Sequence, residues 1–350
     1  MALADPASDD AIAIVVVTHQ SIGDLDGLAS TVLGQLREDD EVVLVDNAST
    51  DGTAQAARVL DPRIKVHASE TNLGFAGGCH LGASHTSAPL LLFLNPDCRP
   101  APDCLDRLRA AGERHPDWAV WQAAVLLDED RINTSGGVVH YLGIGWAGDC
   151  ERPICDLPGS DREIAFPSGA AMVIRREAWT EMGGLDRDYF MYGEDLDLGL
   201  RLWLAGHRVG LLPGARVTHG YEFDKGAMKW FWLERNRWRT VLSVYPAALL
   251  ALLAPALLAA ELGLLALAAR QGWLTAKLRA QAAVLAGLPR TLARRRTVQS
   301  TRRVTASEFA SHLTASLDNP YLSAASSPLL SAPQALYWRL VLRVLSLVAR

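Results

Sequence analysis

At 350 residues, 49% of them hydrophobic, the chain has room for one large domain, or for a catalytic domain of roughly 200–250 residues with an appendage, so size is compatible with an enzyme. The net charge of −5 conceals a division: residues 1–224 carry 17 Lys+Arg and 35 Asp+Glu, net −18, whereas residues 225–350 carry 17 and 4, net +13. The basic half interleaves its charges with Leu/Ala runs instead of the polar and aromatic residues of a nucleic-acid groove, which argues against nucleic acid and for an anionic lipid surface.

The polar leader over residues 1–10 has neither the basic start nor the apolar stretch of a secretory signal, so the catalytic part is expected on the cytoplasmic side and not secreted. Five scattered cysteines without a paired spacing fit a reducing compartment. Ile12 to Val17 and Glu41 to Val45 are short, apolar, β-branched runs of the kind found in buried parallel strands. Between them, Leu25 to Leu36 carries apolar residues at helical spacing, and further strands are expected at Ile64 to Ala68 and Leu90 to Leu94. Strand and helix in alternation predict a doubly wound, mostly parallel α/β sheet, whose ligands bind beyond the carboxyl ends of the strands.

From about Ala119 to Arg175 the pattern is mixed: an apolar stretch to Leu127, a glycine-rich region through Pro158, and a strand at Ala170 to Ile174. Leu196, Leu200, Trp203 and Leu204 keep one face of a helix ending at Gly206. Pro246 to Ala269 is a 24-residue apolar run with Glu261 as its only charge, long enough to span a bilayer. Basic residues flank it on both sides: Lys225, Lys229, Arg235, Arg237 and Arg239 before, and Arg270, Lys277, Arg279 and Arg294 to Arg296 after. A single span would place one group outside, so an in-plane, re-entrant or hairpin insertion kinked near Pro255 fits better. A helical appendage packed on the domain or on a second subunit, as in a homo-oligomer, is the other reading. Ala335 to Val348 has the pattern of a further interfacial helix. The expected division is therefore a leader at 1–10, a catalytic domain at 11–224 and a basic, apolar helical region at 225–350.

Four constellations carry chemistry. Thr18 closes the first strand, and Asp46 with Asn47 closes the second, where a carboxylate can accept hydrogen bonds from a base or a ribose. The run Asn72-Leu73-Gly74-Phe75-Ala76-Gly77-Gly78 leads into a helix, permitting either close approach to a phosphate or only a tight turn with close helix packing. Asn95-Pro96-Asp97 follows an apolar strand, and Asp97 there can give an oxygen ligand to Mg2+ or Mn2+ while a diphosphate supplies others, although taken alone the tripeptide more commonly marks a turn with an exposed Asp. Glu194, Asp195 and Asp197 open a helix, where a carboxylate suits a general base, although acidic residues also favour any helix N-terminus. His219 follows, either as an extra contact for metal or phosphate or, as lone histidines more often are, as a structural residue.

In this order, VVVTHQS, VDNASTDGT, NLGFAGG, LNPD, SGAAMVIRREAW, GGLDRDYFMYGEDLDL and AGHRVGLLPGARVTH resemble glycosyltransferase family 2, most closely its rhamnosyltransferase-like branch, over about Ala11 to Tyr221. The resemblance implies a GT-A fold with a nucleotide-diphospho-sugar donor. Thr18 and Asp46 would hold the nucleoside, Asp97 would stand for the last carboxylate of the DxD motif, and Asp195 of the Glu-Asp pair would be the base. His219 matches a histidine that joins the metal site in related enzymes. Asn95 stands where an Asp is common, a variant familiar in the rhamnosyltransferase-like branch. The expected reaction is metal-assisted transfer with inversion to a glycan or polyprenyl-diphosphate-linked acceptor at the cytoplasmic membrane surface. dTDP-rhamnose ranks first among donors, ahead of UDP-galactofuranose, UDP-hexoses and GDP-mannose. Two rivals are a sugar-nucleotide nucleotidyltransferase, disfavoured because residues 18–30 contain no Lys or Arg, and a membrane-anchored non-catalytic glycan-binding protein.

Overall fold

The computed structural model of the chain describes residues 10–220, 227–317 and 328–348, so the expected leader lies almost wholly outside the described residues. The N-terminal half alternates β1 (Ile12–Thr18), α1 (Leu25–Val32), β2 (Glu41–Asn47), α2 (Thr53–Leu60), β3 (Ile64–Ser69), α3 (Gly74–Ser84) and β4 (Leu90–Leu94). The helix expected over Leu25 to Leu36 stops at Val32 and tightens into a single turn of 3-10 helix at Leu33–Gln35. Period-two alternation decides the layers. Ile12, Ile14 and Val16 of β1 face the core under α1, whereas Ala13 and Val15 face the core under α3.

Next come β5 (Cys98–Pro100), α4 (Cys104–Arg114), β6 (Trp118–Leu126), β7 (Ile132–Thr134), β8 (Gly137–Val139), β9 (Gly145–Ala147), β10 (Arg162–Glu163), β11 (Ala171–Arg175), α5 (Arg176–Met182), α6 (Glu194–Leu204) and β12 (Arg208–His219). The main sheet runs β10-β12-β6-β11-β4-β1-β2-β3, with β5 on β12 and β7 on β6. β3, β2, β1 and β4 are parallel neighbours, as are β6 and β12, while β11 inserts antiparallel between β4 and β6. The chain leaves β1 toward β2 and β3, then returns to β4 on the other side of β1. That reversal opens a crevice at the carboxyl ends of the strands.

The C-terminal region comprises α7 (Ala227–Val244), α8 (Ala247–Gln271), α9 (Leu274–Ala286), α10 (Leu288–Ser300), α11 (Ala306–Ala310) and α12 (Pro328–Val348). One apolar cluster joins Leu196, Leu200 and Leu204 of α6 to Val241 and Val244 of α7, Leu249, Leu253 and Leu257 of α8, and Trp338 and Val341 of α12. The helical region thus shares a core with the helix that carries Glu194 and Asp195.

Two details differ from the sequence expectation. α8 continues through Pro255 as one helix, so no hairpin turns at that proline. Several of the flanking basic residues also point inward. Arg237 and Lys277 pair with Glu234 and Glu261, and Arg239 and Arg294 pair with Asp186. The lone charge of the apolar run, Glu261, also accepts from Gln281 at 2.7 Å and from Trp238 Nε1 at 3.0 Å. A buried charge needs such partners, and they fix which face of α8 looks inward.

Candidate active site

Three strand ends and one helix end meet in the crevice. At β1, the Thr18 hydroxyl donates to Val45 O at 3.2 Å and lies 3.5 Å from Asp46 Oδ1; at β2, Asp46 Oδ2 accepts the Ser49 N–H at 3.2 Å. Thr18 and Asp46 are both buried. Gln20, at the end of the first-strand motif, sits at φ +56° and closes the same corner. Its Oε1 accepts from Thr50 N at 2.9 Å and Asp51 N at 3.2 Å, and its Nε2 donates to Thr50 Oγ1 at 2.9 Å.

Asn47 faces the next loop. Its amide donates to Asn72 Oδ1 and Gly74 O, both at 3.1 Å, and its Oδ1 accepts from Leu73 N at 2.8 Å. Asn72 Oδ1 also caps Gly74 N at 2.9 Å. Asn47 and Asn72 therefore hold the glycine turn to β2 and have those groups engaged. Gly74 adopts φ +71°, and a Cβ there would stand 2.3 Å from Phe190 O, so only glycine fits. A Cβ on Gly78 would lie 2.5 Å from the Val17 side chain, which assigns this part of the run to close packing of α3 on β1.

At β4, the Asn95 N–H donates to Ala170 O at 3.0 Å and its carbonyl accepts Cys98 N at 3.1 Å, forming the turn that projects Asp97. β5 then pairs antiparallel with the end of β12, setting His219 opposite Cys98. This register brings His219 Nε2 to 3.2 Å from Asp97 Oδ2. The Asp97 side chain is 44% exposed and that of His219 6%, so the carboxylate faces the crevice while the imidazole backs it. Cys98 joins them in one group of candidate ligands within 4.8 Å, but it is buried and its thiol donates to Ala170 O at 3.3 Å. One carboxylate and one imidazole on a single side fit a hard divalent cation; the thiol does not.

Across the strap Ser168-Gly169-Ala170 lies α6. Asp195 Oδ2 accepts from Gly169 N at 3.1 Å, and its Oδ1 accepts from Leu196 N at 2.7 Å. Ala170, the next residue, is the one bonded to Asn95, so the Asp195 helix end and the Asn95–Asp97 turn share one short backbone segment. Desolvation raises the Asp195 pKa against these two N–H donors. Glu194 differs from it. It is buried, its Oε2 has no hydrogen-bond partner, and desolvation together with the Asp195 charge holds it well above the usual carboxylate range. Asp197, the third acidic residue, is structural: it accepts from Tyr189 OH at 2.9 Å, Arg201 Nε at 2.7 Å and Arg294 Nη2 at 2.8 and 2.6 Å.

The segment before α6 is strained, with Phe190 at φ +63° and Tyr192 at φ +67° ahead of Gly193 at φ +82°. Asn236 of α7 holds it. This buried amide donates to the carbonyls of Tyr189 at 3.1 Å, Met191 at 2.9 Å and Tyr192 at 2.7 Å. Sequence reasoning missed Asn236 and Arg294 because their partners lie far away in the chain. Gly169 stood within the SGAAMV motif, but nothing in its local pattern indicated what its N–H would hold.

A model of "Glycosyl transferase family 2" matches residues 13–145, and one of "Glycosyl transferase family group 2" matches residues 90–293. The N-acetylglucosaminyl-diphospho-decaprenol L-rhamnosyltransferase of Mycobacterium tuberculosis is 30% identical over 237 residues, covering 60% of this chain and 76% of that protein. The rhamnosyltransferase WbbL of Escherichia coli (strain K12) is 35% identical over 79 residues, 23% of this chain and 29% of that protein. The crystal structure of GalNAc-T7 with UDP, GalNAc and Mn2+ superposes with a TM-score of 0.54 at 16% identity, covering 69% of this chain and 50% of that one, which shows the shared fold. With a crevice built at the strand ends, a family model spanning residues 90–293 and a relative aligned over most of its own length, the chain belongs to glycosyltransferase family 2.

Proposed function

We propose that the chain catalyses an inverting transfer of a deoxyhexose, with dTDP-rhamnose as the first donor, to a polyprenyl-diphosphate-linked sugar at the cytoplasmic face of a membrane. The relative that acts on N-acetylglucosaminyl-diphospho-decaprenol supports the acceptor class and the rhamnosyl donor. The observation that carries the mechanism is the shared strap: Asp195 on Gly169 N–H, and the Asn95–Asp97 turn on the adjacent Ala170 carbonyl.

In this reading Thr18 and Asp46 face the nucleoside. Asn47, Asn72 and Gly74 shape the wall beside it, and Asn95 supports the turn under the diphosphate. Asp97 and His219 would hold Mg2+ or Mn2+, which when bound offsets charge on the departing nucleoside diphosphate. The acceptor hydroxyl loses its proton to Asp195 Oδ2 as its oxygen attacks the anomeric carbon. The bond to the β-phosphate oxygen breaks, and its electron pair leaves with the diphosphate. Asp195 is the base in preference to Glu194, because it is partly exposed and held by two N–H groups, while Glu194 is buried and desolvation pushes its pKa well above the usual carboxylate range.

Asp195→Asn tests this. Transfer should vanish while donor affinity changes little; turnover at the wild-type rate would sink the assignment. The reading of a non-catalytic glycan-binding protein is tested by the same assay, through metal-dependent release of nucleoside diphosphate.

A further inference from the structure

We propose that the chain lies along an anionic bilayer on the outer faces of α8 and α12, without crossing it. This rests on the reading of a lipid-linked acceptor and adds how the lipid is met.

α8 is long and apolar enough to span: 25 residues at about 1.5 Å each make roughly 37 Å. Its surroundings rule that out. Leu249, Leu253 and Leu257 are buried in the cluster that contains Leu196 and Leu200 of the catalytic helix, so one side of α8 is packed on the body. Farther along, Glu261 is held by Arg237, Lys277, Gln281 and Trp238, which are polar groups of α7 and α9. A helix crossing the hydrocarbon core would have to leave this body or take its buried ion network with it, at large desolvation cost.

The opposite side of α8 is exposed and entirely apolar. Ala247, Ala251, Pro255, Leu258, Leu262 and Ala266 follow one another at helical spacing with no polar residue on the exposed face from Ala247 to Ala269. α12 packs beside it, with the Tyr337 hydroxyl donating to Leu252 O. α12 buries Trp338, Val341 and Leu345 in the same cluster and exposes Leu336 at 59%, Leu340 at 53%, Val344 at 41% and Leu347 at 65%. Both apolar faces therefore point away from one shared core.

The charge around them matches one occupant. Arg270, Arg279, Arg290, Arg296, Arg339 and Arg343 are exposed, in a region of net +13, whereas the body carries −18. Of these, Arg270 lies at the end of α8 and Arg339 and Arg343 lie on α12 next to its exposed Leu340 and Val344. Apolar side chains that sink shallowly beside cations at headgroup level are the pattern of an in-plane helix on anionic lipid.

The experiment uses the full chain with vesicles of phosphatidylcholine, with and without phosphatidylglycerol, read by co-sedimentation. The wild type should bind only the anionic vesicles, lose binding as salt rises, and be released by alkaline carbonate. Leu258→Glu with Leu262→Glu should weaken binding roughly tenfold or more, and so should Leu336→Glu with Leu340→Glu. Arg339→Glu with Arg343→Glu, an exposed pair on which the fold does not depend, should do the same.

Resistance to carbonate extraction would establish a span and overturn the proposal. So would vesicle binding unchanged in all three variants, or variants that alter only self-association by light scattering, which would assign the faces to a second copy. Donor hydrolysis without vesicles reads the chemistry separately: hydrolysis intact with no vesicle binding sinks the membrane proposal alone, and no hydrolysis sinks the catalytic reading.

Discussion

Arg294 of α10 donates through one guanidinium nitrogen to both carboxylate oxygens of Asp197, two residues beyond Asp195 on α6. The same guanidinium reaches Asp186 through Nε at 2.6 Å. Removing it leaves Asp197 fully buried with only Arg201 and Tyr189. Arg294→Met should cost about 3–5 kcal/mol of stability in urea unfolding, and Arg294→Lys less, because it keeps the charge and loses the planar fork. Equal midpoints for wild type and Arg294→Met would contradict the role given to the pair.

The same pair sets an acid sensitivity. Burial would raise the Asp197 pKa, but Arg294 and Arg201 outweigh it and the net shift is downward. A depressed folded-state pKa contributes stability that is present above the ordinary carboxylate range and lost as pH falls through the folded value. Unfolding midpoints measured from neutral pH downward should fall in that acid window for the wild type. The slope should be shallower in Arg294→Met, where one counter-charge is gone.

Asn236 acts by position. Asn236→Ala removes the donors to three carbonyls at the strained turn, costing about 1–3 kcal/mol, and should lower kcat while leaving the donor KM nearly unchanged. Asn236→Asp keeps the shape and loses the donors, so its kcat should fall likewise. A normal kcat in Asn236→Asp would show that packing alone holds the turn.

Desolvation raises Asp195, and a base works only when deprotonated. The acid limb of kcat/KM should therefore lie above the ordinary aspartate value of about 3.9, with activity falling as pH drops through it. Because Glu194 and Asp195 are neighbours, the limb belongs to the pair. Glu194→Gln should retain measurable transfer. A dead Glu194→Gln beside an active Asp195→Asn would reverse the two roles.

A chelator should abolish turnover, and added Mn2+ should restore it. Asp97→Asn should require roughly tenfold or more Mn2+ for half-maximal rate, with a smaller shift for His219→Ala. Calorimetric titration of metal with nucleoside diphosphate checks this without turnover. Unaltered metal affinity in both variants would remove Asp97 and His219 from the site.

What was legible in the sequence follows the range of the interactions. β4 was read at its observed bounds, and β1, β2 and β3 were read short only at their ends, because buried parallel strands announce themselves as local apolar runs. The expected strand at Ala170 to Ile174 appears as β11, shifted by one residue, but its antiparallel insertion depends on pairing with β4 and β6 that no local pattern encodes. Similarly, the Asp97–His219 contact follows from the β5–β12 register, while each residue taken alone reads as a turn carboxylate and a lone histidine. The tail misled most in its charges. Arg237, Lys277 and Arg294 look like membrane flanks in one dimension, and their acidic partners appear only once the helices are packed.

The 97 positions that separate Asp197 from Arg294 also impose an order of events during synthesis. When Asp197 leaves the ribosome, the arginine that will neutralise it has not been made. α6 can dock with its full set of counter-charges only after α10 emerges, so the nascent sheet must wait for the tail before its reactive end is set. A chain ending near residue 224 would keep every strand but lack Arg294, Asn236 and the helices that cover Leu196, Leu200 and Leu204 of α6.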